Sequence, residues 1–207
     1  MKRAVIVLTI LVLFGTYSTA DAQFGKIITL GGGISSVQKP DSFSDYYKRG
    51  YNGSAALGFG IVPGVSIHAM IEYNSFPLDT DKIKEIAALL EMNPEVSGDD
   101  LTVISGFVLA RVRLLLLAPG SSPYAIGGVG LVRAGVSNIE LAAEDPQDNI
   151  TIRLESETAT AITVGAGFDF GFAPKTSIFI EGRYVRAFFK DDNFAYIPIK
   201  AGLNISL

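Results

Sequence analysis

The chain has 207 residues, with 17 Lys or Arg against 21 Asp or Glu, a net charge of −4, no Cys and one His. Without Cys there are no disulfides, no thiolate catalysis and no Cys-ligated metal, and an acidic balance with no Lys/Arg cluster excludes a nucleic-acid partner. Mean hydropathy is +0.35, yet beyond the first residues no apolar run is long enough for a spanning helix, so the apolar residues must be distributed in another way.

Met1 to Ala22 reads as a secretory signal. Lys2 and Arg3 precede an apolar run from Ala4 to Phe14, and small and polar residues lead to Ala20-Asp21-Ala22. Sec-type export with cleavage near Ala22 is expected, leaving one domain over 23–207. No Cys follows the run to carry a lipid anchor.

From there the apolar residues recur by twos, the period of a strand. A Gly-rich first strand over about Lys26 to Val37 lines Ile28, Leu30 and Ile34 on one side. The second sets Tyr51, Gly53, Ala55, Leu57, Phe59 and Ile61 against Asn52, Ser54, Ala56, Gly58 and Gly60. After Pro63-Gly64 the third sets Val65, Ile67, Ala69, Ile71 and Tyr73 against Ser66, His68, Met70, Glu72 and Asn74. Within the following long connection Asp81 to Met92 predicts a short amphipathic helix on Ile83, Ile86, Leu89 and Leu90, stopped by Pro94. In the fourth strand Ile104, Val108, Ala110, Val112, Leu114 and Leu116 oppose Ser105, Arg111 and Arg113. In the fifth, Tyr124, Ile126, Val132, Ala134 and Val136 oppose Gly127, Arg133 and Ser137. The next long connection is expected to prolong its two strands as a hairpin, since Ile150, Ile152 and Leu154 keep period two, with its turn at Asp145 to Asp148. Ile162 to Phe172, Ile178 to Tyr184 and Ile197 to Leu207 complete eight strands.

Short connections (Pro63-Gly64, Ala118 to Ser121, Ala173 to Lys175) alternate with longer ones (Gln38 to Arg49, Phe76 to Asp100, Asn138 to Thr158, Lys190 to Asn193). This is the asymmetry of an all-β, antiparallel up-and-down transmembrane β-barrel with tight periplasmic turns and long external loops. The polar face is rich in Gly, Ala, Ser and Thr, the fillers that a lumen of about eight strands admits, and the apolar face is almost free of charge at strand centres. The apolar face is therefore expected in lipid. Tyr51, Tyr73 and Phe188 towards the loops, and Phe59, Tyr124 and Phe172 towards the turns, are expected to form two aromatic girdles. Arg186 alone breaks parity, near the outer rim.

The inward face would then hold Glu72, Asp169 and Glu181 with Arg111, Arg113, Arg133, Arg183 and Lys200. Charges removed from bulk water persist when paired, so an ion-pair plug is expected, filled out by Phe107 and Phe179. Counting from the turns puts Glu72 level with Arg111, and Glu181 or Asp169 near Arg183 and Lys200. Ser66, His68 and Glu72 share one face, but residues two apart stand about 7 Å from each other, so no catalytic triad is expected. Gly58-Phe59-Gly60 and Gly165-Ala166-Gly167 are strand glycines rather than dinucleotide loops. The acidic loop residues, Asp79, Asp81, Asp99, Asp100, Glu144, Asp145, Asp191 and Asp192, lack the ligand spacing of a calcium loop.

Over Gln23 to Leu207 this pattern resembles the small outer-membrane β-barrel family of the OmpA/OmpX type. The resemblance implies a barrel read by the barrel-assembly machinery through its last strand. There Leu203, Ile205 and Leu207 keep the alternation, and Leu207 stands where that family has an aromatic residue. The expectation is a monomeric, porin-like cell-envelope barrel, with no cofactor, no metal and no enzymatic activity, in contact with outer-membrane lipid and lipopolysaccharide. Its expected role is structural or interactive, through the external loops. A narrow channel for small solutes is the alternative, and a lipid-modifying enzyme comes third.

Overall fold

A computed structural model describes residues 25–40, 47–80, 82, 95–98, 100–114, 121–135, 139–142, 150–152, 156–190 and 192–207. The predicted signal segment, the turn at Asp145 to Asp148 and, Lys82 apart, the helix over Asp81 to Met92 lie outside the described residues.

Eleven strands are present among the described residues: β1 (Lys26–Lys39), β2 (Gly50–Val62), β3 (Val65–Phe76), β4 (Glu95–Gly98), β5 (Leu101–Arg113), β6 (Ser122–Gly135), β7 (Ile139–Ala142), β8 (Ile150–Ile152), β9 (Glu157–Ala173), β10 (Thr176–Phe188) and β11 (Asn193–Ser206). Eight of them close into an antiparallel barrel in the order β1-β11-β10-β9-β6-β5-β3-β2, each pairing with its neighbours in sequence and β1 closing on β11. Closure removes the edges of this sheet, the condition for strands immersed in hydrocarbon. The β2–β3 turn is two residues, with Gly64 at φ 79°, a left-handed value that glycine adopts at no steric cost.

On the loop side most strands run past the limits that alternation suggested. β1 reaches Lys39, β3 reaches Phe76, β9 begins at Glu157 and β11 at Asn193. The connection expected to prolong its two barrel strands as a hairpin does hold one, β7 paired antiparallel with β8, but in a three-stranded sheet separate from that of the barrel. The third member, β4, comes from the preceding long loop and pairs with β7, Val96 opposite Leu141.

The wall is apolar outside. Ile71 is 68% exposed, and Leu57, Val108, Val129, Ile162, Val164 and Ile180 are likewise exposed near mid-height. For a protein in water so large an apolar exterior would be untenable; hydrocarbon removes the penalty. Of the six expected girdle residues, Tyr51, Phe59, Tyr73, Phe172 and Phe188 face outwards, and Tyr124 is fully buried in the lumen. Its whole strand is turned over relative to the expectation: Tyr124, Ile126 and Val132 point in, while Val129, Leu131 and Arg133 point out. The reason is local. Large apolar residues occupy one parity before Gly127-Gly128 and both parities after it, Val129 and Leu131 on one and Val132 on the other, so alternation gives no unique inner face. Register with β9, which sets Tyr124 opposite Gly167, decides it.

Candidate functional site

Two layers fill the lumen. At mid-height lies a charge cluster. β3 projects Glu72, β10 projects Glu181 and Arg183, and β11 projects Lys200, all on inward parity and all buried. Glu72 Oε2 accepts from Arg183 Nη2 and, at 3.1 Å, from Lys200 Nζ. Glu181 Oε1 lies 3.1 Å from Arg183 Nε, an ion-pair contact, and 3.5 Å from Lys200 Nζ, the latter on its register partner across β10 and β11. The second oxygen of Glu181 takes a 3.0 Å hydrogen bond from the Tyr124 hydroxyl. Lys200 Nζ also reaches Ser54 Oγ at 3.0 Å.

Nearer the turns, Arg111 Nη2 donates to Asp169 Oδ1 at 2.5 Å, which also accepts from Asn204 Nδ2 at 2.9 Å. Among the described residues three buried acids thus face three buried bases, and their charges cancel. Charges in this setting are tolerated only when matched in this way.

The register corrects part of the expected pairing. Glu72 stands opposite Ser105, and Arg111 stands opposite Ser66, six residues towards the turns. Glu72 instead reaches across the lumen to β10 and β11. Glu181 does meet Arg183 and Lys200, whereas Asp169 meets Arg111. Two expected members lie apart from the cluster. Arg113 keeps inward parity but is exposed at the turn end, and Arg133 is on the outer surface, where its Nε and Nη2 donate to Ser156 Oγ at 3.2 and 2.7 Å.

Glycines make room for the bulky lumenal groups. A Cβ at Gly165 would collide with Arg183, at Gly167 with Tyr124, at Gly58 with His68, and at Gly202 or Gly31 with Phe179. With Phe107 and Phe179 also buried, the space left among Thr29, His68, Arg111, Glu181 and Lys200 is about 20 Å³, room for roughly one water.

Ser66 Oγ and His68 Nε2 are 2.8 Å apart, closer than strand spacing suggested, because two flexible side chains on one face lean together. The pair does not extend to Glu72, which is engaged by Arg183, Lys200 and Asn74, so the orienting acid of a triad is missing.

The second layer lies towards the loops and is apolar. Val37, Phe76, Leu101, Val103, Val132, Val185, Phe194 and Tyr196 are buried there in one cluster, with Phe194 and Tyr196 rings 5.6 Å apart. Outside this layer the wall turns polar: Lys39, Arg133, Glu157, Thr158, Thr160, Arg186 and Asn193 are exposed. The polarity of the barrel therefore inverts along its axis. Where the exterior is apolar the lumen is charged, and where the exterior is wetted the lumen is a hydrophobic core. Val103 and Val185, large apolar residues on the inward parity at the loop ends of their strands, were the sequence signal for this layer.

Tyr47 and Lys48, just before β2, are held at this core. Tyr47 bridges Leu78, Lys48 N donates to Pro77 O at 2.9 Å, and Lys48 Nζ lies 3.4 Å from Asp79 Oδ1. Ser75 Oγ donates to Asp100 Oδ2 at 2.8 Å, and burial together with the Asp100 charge raises the Tyr47 hydroxyl above its ordinary pKa.

No family model matches the chain, and no curated protein matches its sequence. Among solved structures it is similar to Neisserial surface protein A (NspA), with a TM-score of 0.61 at 13% identity over 92% of this chain and 100% of that one. A major outer membrane protein from Thermus thermophilus superposes with a TM-score of 0.54 at 10% identity, over 88% of this chain and 99% of the other. The chain has the fold of the small eight-stranded outer-membrane β-barrels.

Proposed function

We propose that this protein is an integral barrel of the bacterial outer membrane whose lumen carries no solute and whose external end makes its contacts. One observation carries the reading: the neutral charge cluster and the two lumenal phenylalanines fill the barrel at mid-height, and the cavity between His68, Arg111, Glu181 and Lys200 measures about 20 Å³, too little for a hydrated ion. A role in interaction then falls to the parts outside the membrane, the apolar-cored head and the three-stranded sheet built from two loops. Last-strand recognition by the assembly machinery belongs to the same proposal, with Leu203, Ile205 and Leu207 facing outwards.

Planar-bilayer recording of the purified barrel tests the closed lumen. Only brief, rare openings are expected, and a large steady conductance would establish the narrow-channel reading instead. Heat-modifiable gel migration of the membrane fraction tests closure and location together, since a closed barrel migrates differently before and after boiling.

A further inference from the structure

The small sheet apart from the barrel has two unlike faces. Register sets Val96, Leu141 and Ile150 in one row and Gly98, Ile139 and Ile152 in the row two residues on, and both rows share a face. The other face takes Ser97, Glu140 and Thr151, with Glu95 opposite Ala142. Period two thus gathers the large apolar residues of all three strands on one side of a sheet built from the external connections. In water such a face is stable only when another element covers it.

The connection from β3 to β5 supplies that element. Its two ends meet, since Phe76 is opposite Leu101 and Ser75 Oγ donates to Asp100 Oδ2 at 2.8 Å. Thr80 and Lys82 are helical, and Lys82 N donates to Asp79 Oδ1 at 3.4 Å, the bond of an N-cap. From this start the apolar stripe of Ile83, Ile86, Leu89 and Leu90 leads to Pro94, and β4 begins at the next residue, Glu95. A helix over Asp81 to Met92 rises about 18 Å, and β4 with the two residues after it returns about 20 Å, so chain closure lays helix and strand side by side and antiparallel. From Ile86 to Leu90 such a helix advances about 6 Å, close to the roughly 7 Å between the two apolar rows.

We infer that the segment Asp81 to Met92 docks its apolar stripe on this face, with Leu89 and Leu90 towards the row of Leu141 and Ile86 towards the row of Ile139. The inference rests on the outer-membrane reading above, which puts the sheet in water, and specifies what that reading leaves to a partner. The apolar face is occupied within the chain, and the surface offered is the opposite one, a hydrogen-bonding face that carries Glu95 and Glu140.

The chain has no Cys, so introduced cysteines report without background. In the barrel refolded into vesicles, Leu89→Cys with Leu141→Cys is expected to be joined within one chain by a short bismaleimide, and Leu89→Cys with Glu140→Cys, on the opposite face, about tenfold less. Leu141→Cys alone should react with a water-soluble maleimide about tenfold more slowly than Glu140→Cys, and adding Ile86→Glu with Leu89→Glu should abolish the difference. Reaction is read on the heat-modifiable folded band; where Leu141→Cys gives none, Ile150→Cys in the same row takes its place. Equal reaction of the two faces would overturn the inference. So would links formed only between chains, which would make a second copy the cover, or slow reaction of Leu141→Cys that persists with Ile86→Glu and Leu89→Glu. Each of these results leaves the barrel in the membrane fraction, whereas failure of the outer-membrane reading would show as loss of the protein from that fraction.

Discussion

The Arg111 guanidinium lies 3.6 Å from the centre of the Tyr124 ring, so that one tyrosine ties the two ionic groups of the lumen together. Its face holds the cation that serves Asp169, and its hydroxyl donates to Glu181. Cation–π contact of this kind strengthens when water is excluded, and a hydrogen bond to a buried carboxylate is worth more than one between neutral groups.

Tyr124→Phe keeps the ring under Arg111 and removes only the hydroxyl. A loss of about 1.5–3 kcal/mol is expected, the value of a hydrogen bond to a charged group. Tyr124→Leu is expected to lose more, because the cation–π contact goes with it. Urea unfolding in lipid vesicles measures both, and equal losses in the two variants would show that the ring face contributes nothing.

Glu72→Gln should be the most damaging single change in the charge cluster. It leaves Arg183, whose side chain is fully buried, and Lys200 to share Glu181. Removing one partner of a buried pair costs roughly 3–5 kcal/mol. The double variant Glu72→Gln with Lys200→Met should recover part of this, since the excess charge is removed, and the two sites touch and so couple. The unfolding midpoint reads the cycle; strict additivity of the two single changes would contradict the pairing.

Immersion of the wall has its own test. Ile71→Arg at mid-height is expected to cost about 2–4 kcal/mol in vesicles, whereas Arg186→Leu at the rim should shift stability by about 0–1 kcal/mol. Arg186 sits 5.5 Å from the centre of the Phe188 ring, at the loop end of β10. A barrel that tolerated Ile71→Arg without loss would not have that face in lipid.

The glycines separate by what lies above them. Gly167→Val must displace Tyr124, and failure to reach the heat-modifiable folded form is expected. Gly53→Ala, where a Cβ meets nothing, should be neutral or stabilising by roughly 0.5–1 kcal/mol. Gel migration after refolding into detergent distinguishes them.

Much of this architecture was readable along the chain. Period-two alternation located all eight barrel strands, connection lengths gave the up-and-down order, and for every barrel strand except β6 the apolar parity named the lipid face, because hydrocarbon admits no charge and the parity of a strand fixes a side for every residue on it. The acids and bases of the cluster were legible as inward residues for the same reason. Their partners were not. Glu72 with Arg183 and Arg111 with Asp169 are separated by 111 and 58 positions, and such pairs form across a lumen whose geometry depends on the register of every strand between them.

Three further features were decided only in three dimensions. β6 carries large apolar residues on both parities around Gly127-Gly128, and its inner face followed from the space above Gly167 and the second oxygen of Glu181, which the Tyr124 hydroxyl satisfies. β4 is four residues long, too short to show a period, and exists because β7 offers it an edge. The apolar head arises because strands that outrun the membrane meet water on the outside, so the same inward parity that must be polar within the lipid must be hydrophobic above it. Alternation specifies which residues share a side; only the surrounding medium at each height specifies what that side must be made of.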